Sequence, residues 1–236
     1  MLFAGTSGWS YPSWKPGFYP AKLAAARFLQ HYSTRLNTVE VNYTFRHYAS
    51  EKTQQGWCAT TPDGFRFSVK AHQRITHIKK LRDAGEDARS FLAGLQPLSE
   101  AGKLGCILFQ LPPFLRADAE LLRDFLQALP AGRFSFEFRH ASWFTDETFS
   151  LLKEKGAALC VAESEKLETP DVITANFCYY RMRKPEYSAD ERKHISKRIE
   201  EHAAAGRDVL IYFKHEETPE GALMAEDLLK DLSKSK

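Results

Sequence analysis

Short β-branched and aromatic runs alternate with longer amphipathic stretches along the whole sequence. Eight runs have the length and composition of strands: Leu2 to Ser7, Thr38 to Asn42, Phe65 to Lys70, Gly105 to Gln110, Phe134 to Phe138, Ala157 to Ala162, Phe177 to Met182 and Val209 to Lys214. Strands that are separated by helices form parallel sheets, because each crossover returns the chain to the same end of the sheet. The alternation therefore predicts an α/β protein built from repeated βα units.

The segments between these runs carry helical patterns. They lie near residues 21–32, 50–58, 86–101, 117–128, 145–155, 189–205 and 219–232. Gly156 and Gly206 follow two of them, as glycines that end helices do. Residues 163–175 contain a proline and scattered charges but no convincing helix. We therefore expect an irregular connection in the sixth βα unit.

Eight strands with intervening helices fit two architectures, a closed (β/α)₈ barrel and an open doubly wound sheet. A dinucleotide-binding open sheet needs a Gly-rich turn that leads from the first strand into a helix. Gly5-Thr6-Ser7-Gly8 is too short for that turn and is followed by aromatic residues. We therefore predict a TIM (β/α)₈ barrel that forms a single domain over residues 1–236.

Composition and charge exclude several classes of protein. The 33 basic and 30 acidic residues give a formal net charge of +3, which is too balanced for a dedicated nucleic-acid binder. No apolar stretch reaches the roughly 20 residues that span a bilayer, and the first residues lack the basic start of a secretory signal. Cys106, Cys160 and Cys178 fall within predicted strands, as reduced structural cysteines do. We expect a cytoplasmic protein with no membrane partner, and the sequence leaves its oligomeric state open.

Polar or charged residues lie at or beside the end of each predicted strand. In a barrel of parallel strands these ends lie on one face, where barrel enzymes form their active sites. The candidates are Glu40, Asn42, Lys70, Gln110, Glu137, Arg139, Glu163, Arg181, Lys214 and His215. Carboxylates and cations crowded together shift each other's pKa values and suit acid/base chemistry. The alternative is a buried ion-pair network that satisfies only itself.

The loop that follows the first strand, residues 9–20, contains five aromatic residues and three prolines. Trp9 and Trp14 in this loop are candidates for covering a ligand, and His77 and Trp143 in later loops are candidates for contacting it. The alternative is a cap that plugs the barrel mouth through its own packing.

Histidines near the strand ends raise the question of a divalent metal, which imidazole and carboxylate groups commonly bind. Its ligands would be Glu40, Glu137, Glu163 and His215. Against this reading, no His-x-His or His-x-x-x-His spacing occurs at the strand ends, and the neighbouring Lys and Arg side chains would repel a cation. The sequence therefore assigns no cofactor, and a divalent metal remains an alternative.

Several segments in these regions occur together and in order. They are Gly5-Thr6-Ser7-Gly8-Trp9, residues 37–42 and 65–70, Thr76-His77, residues 104–105 and 108–113, Glu137-Phe138-Arg139 with Trp143, Tyr180-Arg181 and residues 212–215. Over nearly the whole chain they resemble the YecE-like proteins, the domain-of-unknown-function 72 family. The resemblance implies a TIM barrel with no assigned activity. Departures include Leu36, where the family usually has Phe, and Phe45-Arg46-His47 in place of the commoner Phe-Tyr-Arg. Phe213-Lys214-His215-Glu216 is similar to one branch of the family, whereas other branches have an Asn pair there.

Three hypotheses for function follow. The first is an enzyme, a hydrolase or a lyase, that performs acid/base chemistry on a small anionic or phosphate-bearing ligand. In it Glu40 and Glu137 form the acid/base pair, Lys70 and Lys214 are also catalytic, and these two lysines hold the anion together with Arg139 and Arg181. The second is metal-assisted hydrolysis of phosphodiester bonds in nucleic acid. The third is a barrel without catalytic activity that binds a metabolite or a partner protein through the aromatic loop.

Overall fold

The computed structural model describes residues 1–164, 166–184, 186–214 and 217–234. Within these residues, parallel strands pair in sequence order and the last strand pairs with the first, which closes a barrel. The strands are β1 (Leu2–Ser7), β2 (Thr38–Val41), β3 (Arg66–Lys70), β4 (Leu104–Gln110), β5 (Phe134–Glu137), β6 (Ala158–Ala162), β7 (Phe177–Met182) and β8 (Asp208–Phe213). The predicted TIM (β/α)₈ barrel is confirmed.

Helices occupy most of the connections between these strands. They are α1 (Phe28–Arg35), α2 (Glu51–Thr60), α3 (Gly85–Ala93), α4 (Gln96–Glu100), α5 (Ala119–Ala128), α6 (Asp146–Lys155), α7 (Ala189–Ala204) and α8 (Glu220–Lys234). The described residues between β6 and β7 form no helix, which confirms the irregular sixth unit. No helix in the described ranges is long and apolar enough to cross a membrane.

Two predicted helices differ from those observed. The first begins at Phe28 rather than near residue 21, and a 3₁₀ turn over Ala25–Arg27 leads into it. The predicted helix over residues 86–101 is divided at Gly94 and Leu95 into α3 and α4. Pro97 lies in the first turn of α4, where its missing N–H is tolerated, whereas it could not continue the hydrogen bonding of α3.

Side chains fill the inside of the barrel. The buried apolar cluster there consists of Phe3, Cys106, Leu108, Ala158, Cys160, Ala162, Phe177, Tyr179, Leu210 and Tyr212. The Tyr212 hydroxyl donates to Ser68 Oγ at 2.7 Å and lies 2.9 Å from Thr38 Oγ1. A larger apolar cluster packs the helices against the outer faces of the strands. Because the interior is packed, the polar residues at the strand ends lie on top of a closed core rather than around an open channel.

Gly5 lies where β1 passes closest to β2. A Cβ atom at this position would lie 2.0 Å from the backbone oxygen of Thr38 and 2.9 Å from the hydroxyl oxygen of Tyr32. That hydroxyl links the two strands, because it accepts from the Thr6 N–H and donates to the Thr38 oxygen, both at 2.9 Å. The close approach of the backbones therefore requires glycine.

We expect Gly5→Ala to lower the free energy of unfolding by about 3 kcal/mol, since backbone rather than a flexible side chain must move. Guanidinium denaturation measures the change. The control is Gly56→Ala in α2, because a Cβ there meets nothing within 4 Å. In a helix this control substitution should raise the stability by roughly 0.5–1 kcal/mol. Equal stability of the two variants would contradict the proposed strand contact.

Candidate functional site

Arg181, near the end of β7, joins two buried glutamates across the barrel. Its Nη2 donates to Glu40 Oε1 at 2.7 Å and its Nη1 donates to Glu137 Oε2 at 2.6 Å. The three residues are 3%, 0% and 2% exposed, respectively. Charges so deeply buried persist only when they are paired and hydrogen-bonded. Of the strand-end charges named from the sequence, the structure brings Glu40, Glu137 and Arg181 into direct contact.

Both oxygens of the Glu40 carboxylate accept hydrogen bonds. Besides Arg181, the donors are Ser7 Oγ at 2.8 Å, Asn42 Nδ2 at 3.2 Å and the Tyr179 hydroxyl at 2.7 Å. Burial alone would raise the pKa of Glu40, but the charge of Arg181 and these hydrogen bonds outweigh burial and lower it. Glu40 is therefore ionised at neutral pH.

Glu137 has a similar set of donors, supplied mainly by arginines. Arg139 Nε donates to its Oε1 at 2.8 Å, Arg183 Nη2 donates to the same oxygen at 3.1 Å, and Gln110 Nε2 donates to Oε2 at 2.8 Å. Burial would raise the pKa of Glu137, but Arg181, Arg183 and Arg139 hold it well below its usual range. Glu137 is ionised as well.

These pKa directions do not support the predicted acid/base pair of Glu40 and Glu137. That hypothesis required two different environments that move the two carboxyl pKa values apart. Arg181 instead contacts both groups and lowers the pKa of each. A group that stays ionised near neutral pH has no proton to donate, so the pair is better suited to positioning cations.

Lys70 lies at the end of β3, beside this network. Its Nζ donates to Gln110 Oε1 at 2.8 Å and lies 4.2 Å from the centre of the Phe45 ring. Burial, and next the positive charge of Arg181, lower the pKa of Lys70 to about 8. Since Gln110 also donates to Glu137, one amide links the lysine to the ion pair. Lys70 thus changes its protonation close to neutral pH.

His77 approaches the same ring from a short π-helix over Arg74–Ile78, which follows β3. Its imidazole meets the Phe45 ring edge to face at 4.8 Å, and its Nδ1 lies 2.9 Å from Thr76 Oγ1. Burial, followed by the positive charges of Lys70 and Arg139, lowers the pKa of His77. A neutral imidazole therefore lies within the electrostatic field of the lysine.

Glu163 is engaged elsewhere. Its Oε2 accepts from the backbone N–H groups of Arg183 at 2.6 Å and Lys184 at 3.2 Å, and from the hydroxyl of Tyr187. It therefore shapes the segment after β7 and holds the backbone of Arg183, which in turn contacts Glu137. The structure places Glu163 behind the site as a positioning residue rather than beside Glu40.

Trp14 and Trp143, predicted as ligand contacts, are both fully buried. Trp14 packs against Phe18 at 5.6 Å and Tyr19 at 5.8 Å between ring centres. Trp143 stacks on Phe138 and donates from Nε1 to the backbone oxygen of Leu115 at 2.8 Å. With no exposed surface, neither ring is available to a ligand in this structure. For Trp14, the packing agrees better with the alternative that the loop over residues 9–20 packs on itself.

Three other predicted residues have different outcomes. Trp9 is partly exposed, with its ring 5.6 Å from that of Trp57, so its predicted ligand contact stays a prediction. Lys214 directly follows β8, its backbone N–H donates to the Met182 oxygen at 2.9 Å, and its side chain is exposed. His215 lies outside the described residues.

The metal hypothesis does not fit the side chains that the structure describes. Among them, no three His, Cys, Asp or Glu residues are grouped so that they could hold an ion. Glu40 and Glu137 accept from guanidinium groups, and Glu163 accepts from the segment after β7. The fourth proposed ligand, His215, lies beyond the described positions.

Arg183 and Tyr179 are part of the network but were not among the predicted site residues. The sequence contained a signal for both residues. Residues 179, 181 and 183 alternate along β7 and its extension, and alternate residues of a strand share a face. The same spacing relates Glu40 to Asn42 and Glu137 to Arg139. Extending each predicted strand end by two residues would have found Arg183.

Three buried atoms of this network have no hydrogen-bond partner within the described part of the chain. They are Asn42 Oδ1, Arg181 Nε and Arg183 Nε. Buried polar atoms are ordinarily hydrogen-bonded to protein or to ordered water. Asn42 Oδ1 keeps the capacity to accept one further hydrogen bond, and each Nε atom keeps the capacity to donate one.

The sequence and the fold were compared with known proteins. Residues 3–236 match the model of the family described as "Protein of unknown function DUF72". The UPF0759 protein YunF of Bacillus subtilis (strain 168) is 29% identical over 185 residues, which are 74% of this chain and 64% of that protein. The matched region thus spans less than two thirds of that relative.

Two crystal structures share the fold over almost their full length. A DUF72 family protein from Thermotoga maritima MSB8 superposes with a TM-score of 0.88 at 26% identity and covers 99% of both chains. Another from Enterococcus faecalis V583 has a TM-score of 0.82 at 17% identity, with 98% of this chain and 96% of that chain covered. At the lower identity the likeness establishes the fold alone.

Replacing the shared cation tests how the network is held. In Arg181→Met, Glu137 keeps Arg139 and Arg183, but Glu40 is left buried without a cation in hydrogen-bond contact. We expect the free energy of unfolding at pH 7 to fall by about 3–5 kcal/mol, as for other broken buried pairs. Urea denaturation at several pH values measures it.

The pH dependence separates this cause from a simple packing defect. In the wild type the pKa of Glu40 lies below its usual value of 4.5, so its stabilising contribution is present above pH 4.5 and is lost as the pH falls through the lowered pKa. In Arg181→Met, burial should raise that pKa, so stability should increase as the pH is lowered from about 8 to 5. The double variant Glu40→Gln/Arg181→Met should be more stable than Arg181→Met and lack this trend. If the stability of Arg181→Met did not increase as the pH is lowered, the loss of stability would not come from the unpaired charge of Glu40.

Proposed function

The chain belongs to the DUF72 family, whose function is unknown, so its activity has to be inferred from the candidate site. We propose that it is an enzyme that performs acid/base chemistry on a small anionic ligand. The ligand binds at the C-terminal face of the barrel, above the Glu40–Arg181–Glu137 unit. The observation that carries the proposal is a set of incompletely paired cations, fixed in place by ionised carboxylates, beside a lysine that titrates near neutral pH.

Two guanidinium groups support the choice of an anion. Arg139 donates to Glu137 from Nε, and neither of its terminal nitrogens has a hydrogen bond within the described residues. Arg183 donates from Nη2 only, and its buried Nε has no partner there. Their side chains are 33% and 24% exposed. A guanidinium that is oriented at one edge and open at the other suits a carboxylate or phosphate, which it can bind through two hydrogen bonds.

Local charge favours the same class of ligand. Arg139, Arg181 and Arg183 pair with the two carboxylates of Glu40 and Glu137, so cations outnumber anions by one, and by two when the nearby Lys70 is protonated. A low-dielectric floor beneath these charges strengthens their field at the barrel mouth. The excess of positive charge attracts a small anion and stabilises negative charge that develops on it during a reaction.

Lys70 takes the acid/base role that the sequence suggested for the two glutamates. An effective acid or base has a pKa near the operating pH, and the pKa of Lys70 is about 8. Gln110 holds its amine, and Glu137 holds Gln110. Removal of a proton from a carbon next to a carbonyl or carboxylate group, which takes up the electron pair as an enolate, is a reaction that such an amine can perform.

Binding can be tested before any substrate is identified. We expect inorganic phosphate and oxalate to raise the melting temperature of the wild type, and a ligand at 100 times its Kd adds about 2.7 kcal/mol of stability. Arg139→Met should weaken binding about 10- to 100-fold, because a charged hydrogen bond is lost. The control is Arg123→Met, which removes an exposed arginine paired with Glu147. Equal responses of the two variants would remove Arg139 from the binding site.

Proton transfer is tested by following hydrogen–deuterium exchange at carbon by NMR. Pyruvate, glycolate and dihydroxyacetone phosphate are incubated in D₂O with the wild type, Lys70→Met, Glu137→Gln and the exposed control Lys197→Met. Exchange should increase with pH and level off above about pH 8, where the amine is neutral, and Lys70→Met should lower it 10²- to 10⁴-fold. Glu137→Gln should fold and also lose activity. Anions that bind but never exchange would instead favour the barrel that binds without catalysis.

A further inference from the structure

The surroundings of Lys70 suit a nucleophile as well as a proton carrier. We propose that Lys70 Nζ forms an iminium with the carbonyl carbon of a small aldehyde or ketone whose carboxylate or phosphate is held by Arg139 and Arg183. This inference rests on the proposed function and specifies its substrate class, an anionic carbonyl compound. It also assigns a covalent step to the same site.

A comparison with Lys103 shows what is unusual about Lys70. The buried ammonium of Lys103 donates to three oxygens, the backbone oxygens of Cys58 at 2.7 Å and Thr61 at 2.6 Å and the Thr61 Oγ1 at 3.1 Å. An ammonium has three N–H donors, so Lys103 is fully satisfied as a cation. Among the residues that the structure describes, Lys70 Nζ has one oxygen acceptor, on Gln110, and the Phe45 ring lies beside it.

One acceptor is what an iminium nitrogen needs. An iminium formed by a lysine keeps a single N–H and a positive charge, whereas an ammonium keeps three N–H groups. Gln110 Nε2 donates to Glu137, which leaves Gln110 Oε1 to accept from Lys70. The same oxygen can accept from the iminium, and the Phe45 ring can stabilise its charge as it does that of the ammonium. The site thus matches the product of the reaction better than it matches a free ammonium.

The amine is also available in its reactive, neutral form. In the described parts of the chain Lys70 takes part in no salt bridge, and its link to the Glu137 carboxylate passes through Gln110. Burial and then Arg181 lower its pKa from 10.5 to about 8, against the opposing charges of Glu40 and Glu137. At pH 8 roughly half of the amine is neutral, compared with about 0.3% for an ordinary lysine. Nucleophilic lysines are commonly activated in this way.

The reaction balances without a co-reactant. The ammonium first releases one proton, and the neutral amine adds to the carbonyl carbon, so that the N–C bond forms and the π electrons of the C=O bond move to oxygen. That oxygen takes up one proton from the attacking nitrogen and the proton that the ammonium released. The nitrogen lone pair then forms the C=N bond while the C–O bond breaks and water leaves. Overall, an ammonium and a carbonyl give an iminium and water, so the charge facing Glu40 and Glu137 does not change. His77, whose pKa is lowered, can carry the proton between nitrogen and oxygen.

Reductive trapping tests the proposal. The full chain is incubated at pH 8 with sodium cyanoborohydride and one of two matched pairs, pyruvate with methyl pyruvate, or dihydroxyacetone phosphate with dihydroxyacetone. Intact mass and peptide mapping locate the resulting secondary amine. We expect an adduct on Lys70 that forms at least about tenfold faster with the anionic member of a pair than with its neutral partner. The pair that reacts identifies the anion as carboxylate or phosphate.

Two variants separate the chemistry from binding. Lys70→Arg keeps the positive charge, so it should still be stabilised by inorganic phosphate but give no adduct. Arg139→Met keeps the amine and should lower the rate of trapping at Lys70 about 10- to 100-fold. The exposed Lys197 reports the background reaction of an ordinary lysine in the same digest.

The outcomes distinguish this proposal from the one on which it rests. Phosphate binding and Lys70-dependent exchange without any adduct would make Lys70 a base only, which overturns the iminium and leaves the proposed function intact. Adducts that form equally with neutral and anionic carbonyls, or equally on Lys197, would also overturn it. If no anion stabilises the wild type, both proposals fail together.

Discussion

The guanidinium of Arg181 between two buried carboxylates is the interaction on which the C-terminal face of this barrel depends. It connects β7 to β2 and β5, strands that are not neighbours in the sheet. Such buried ion pairs add little net stability relative to apolar packing, because both charges must first lose their hydration. What they impose is geometry, since a carboxylate that must satisfy all its lone pairs fixes its donors in position. Glu40 and Glu137 therefore determine where the other cations lie.

Glu40 and Glu137 keep a constant charge near neutral pH, whereas the charge of Lys70 changes there. Glu137 accepts four hydrogen bonds and is fully ionised, so its charge is constant over the range in which an enzyme works. That constant charge orients Arg139, Arg183 and Gln110, and Gln110 in turn orients Lys70. Chemistry needs a group whose protonation changes easily, and the network leaves one such group at its edge. The charge of the buried Glu137 is constant, whereas the charge of Lys70 at the edge of the network changes with pH. This is the arrangement expected when rigid surroundings position an amine for proton transfer.

The sequence predicted the fold, and it predicted that several charged residues of the candidate site lie together, because both follow from the alternation of strands and helices. Parallel strands bring their C-terminal ends together whatever the details of packing, so Glu40, Glu137 and Arg181 could be placed near each other from their positions alone. Which groups would pair could not be predicted. Glu163 directly follows β6, much as Glu137 ends β5, yet it accepts from the backbone N–H groups of Arg183 and Lys184 and from the hydroxyl of Tyr187, which lie within its reach. Such partners depend on loop conformation, for which the sequence carries no periodic signal.

The same limit explains why the roles of individual side chains could not be assigned from the sequence. A carboxylate at a strand end and a tryptophan in a Pro-rich loop look the same in sequence whether they are exposed or buried, and their chemistry depends on that difference. Trp14 became part of the packing because Phe18 and Tyr19 lie close enough to cover it. Glu137 became a structural anion because three arginines converge on it. In a barrel with a polar network at its C-terminal face, a reactive group is therefore best sought among the side chains that the network leaves incompletely satisfied, and within the described residues Lys70 meets that criterion on hydrogen bonding alone.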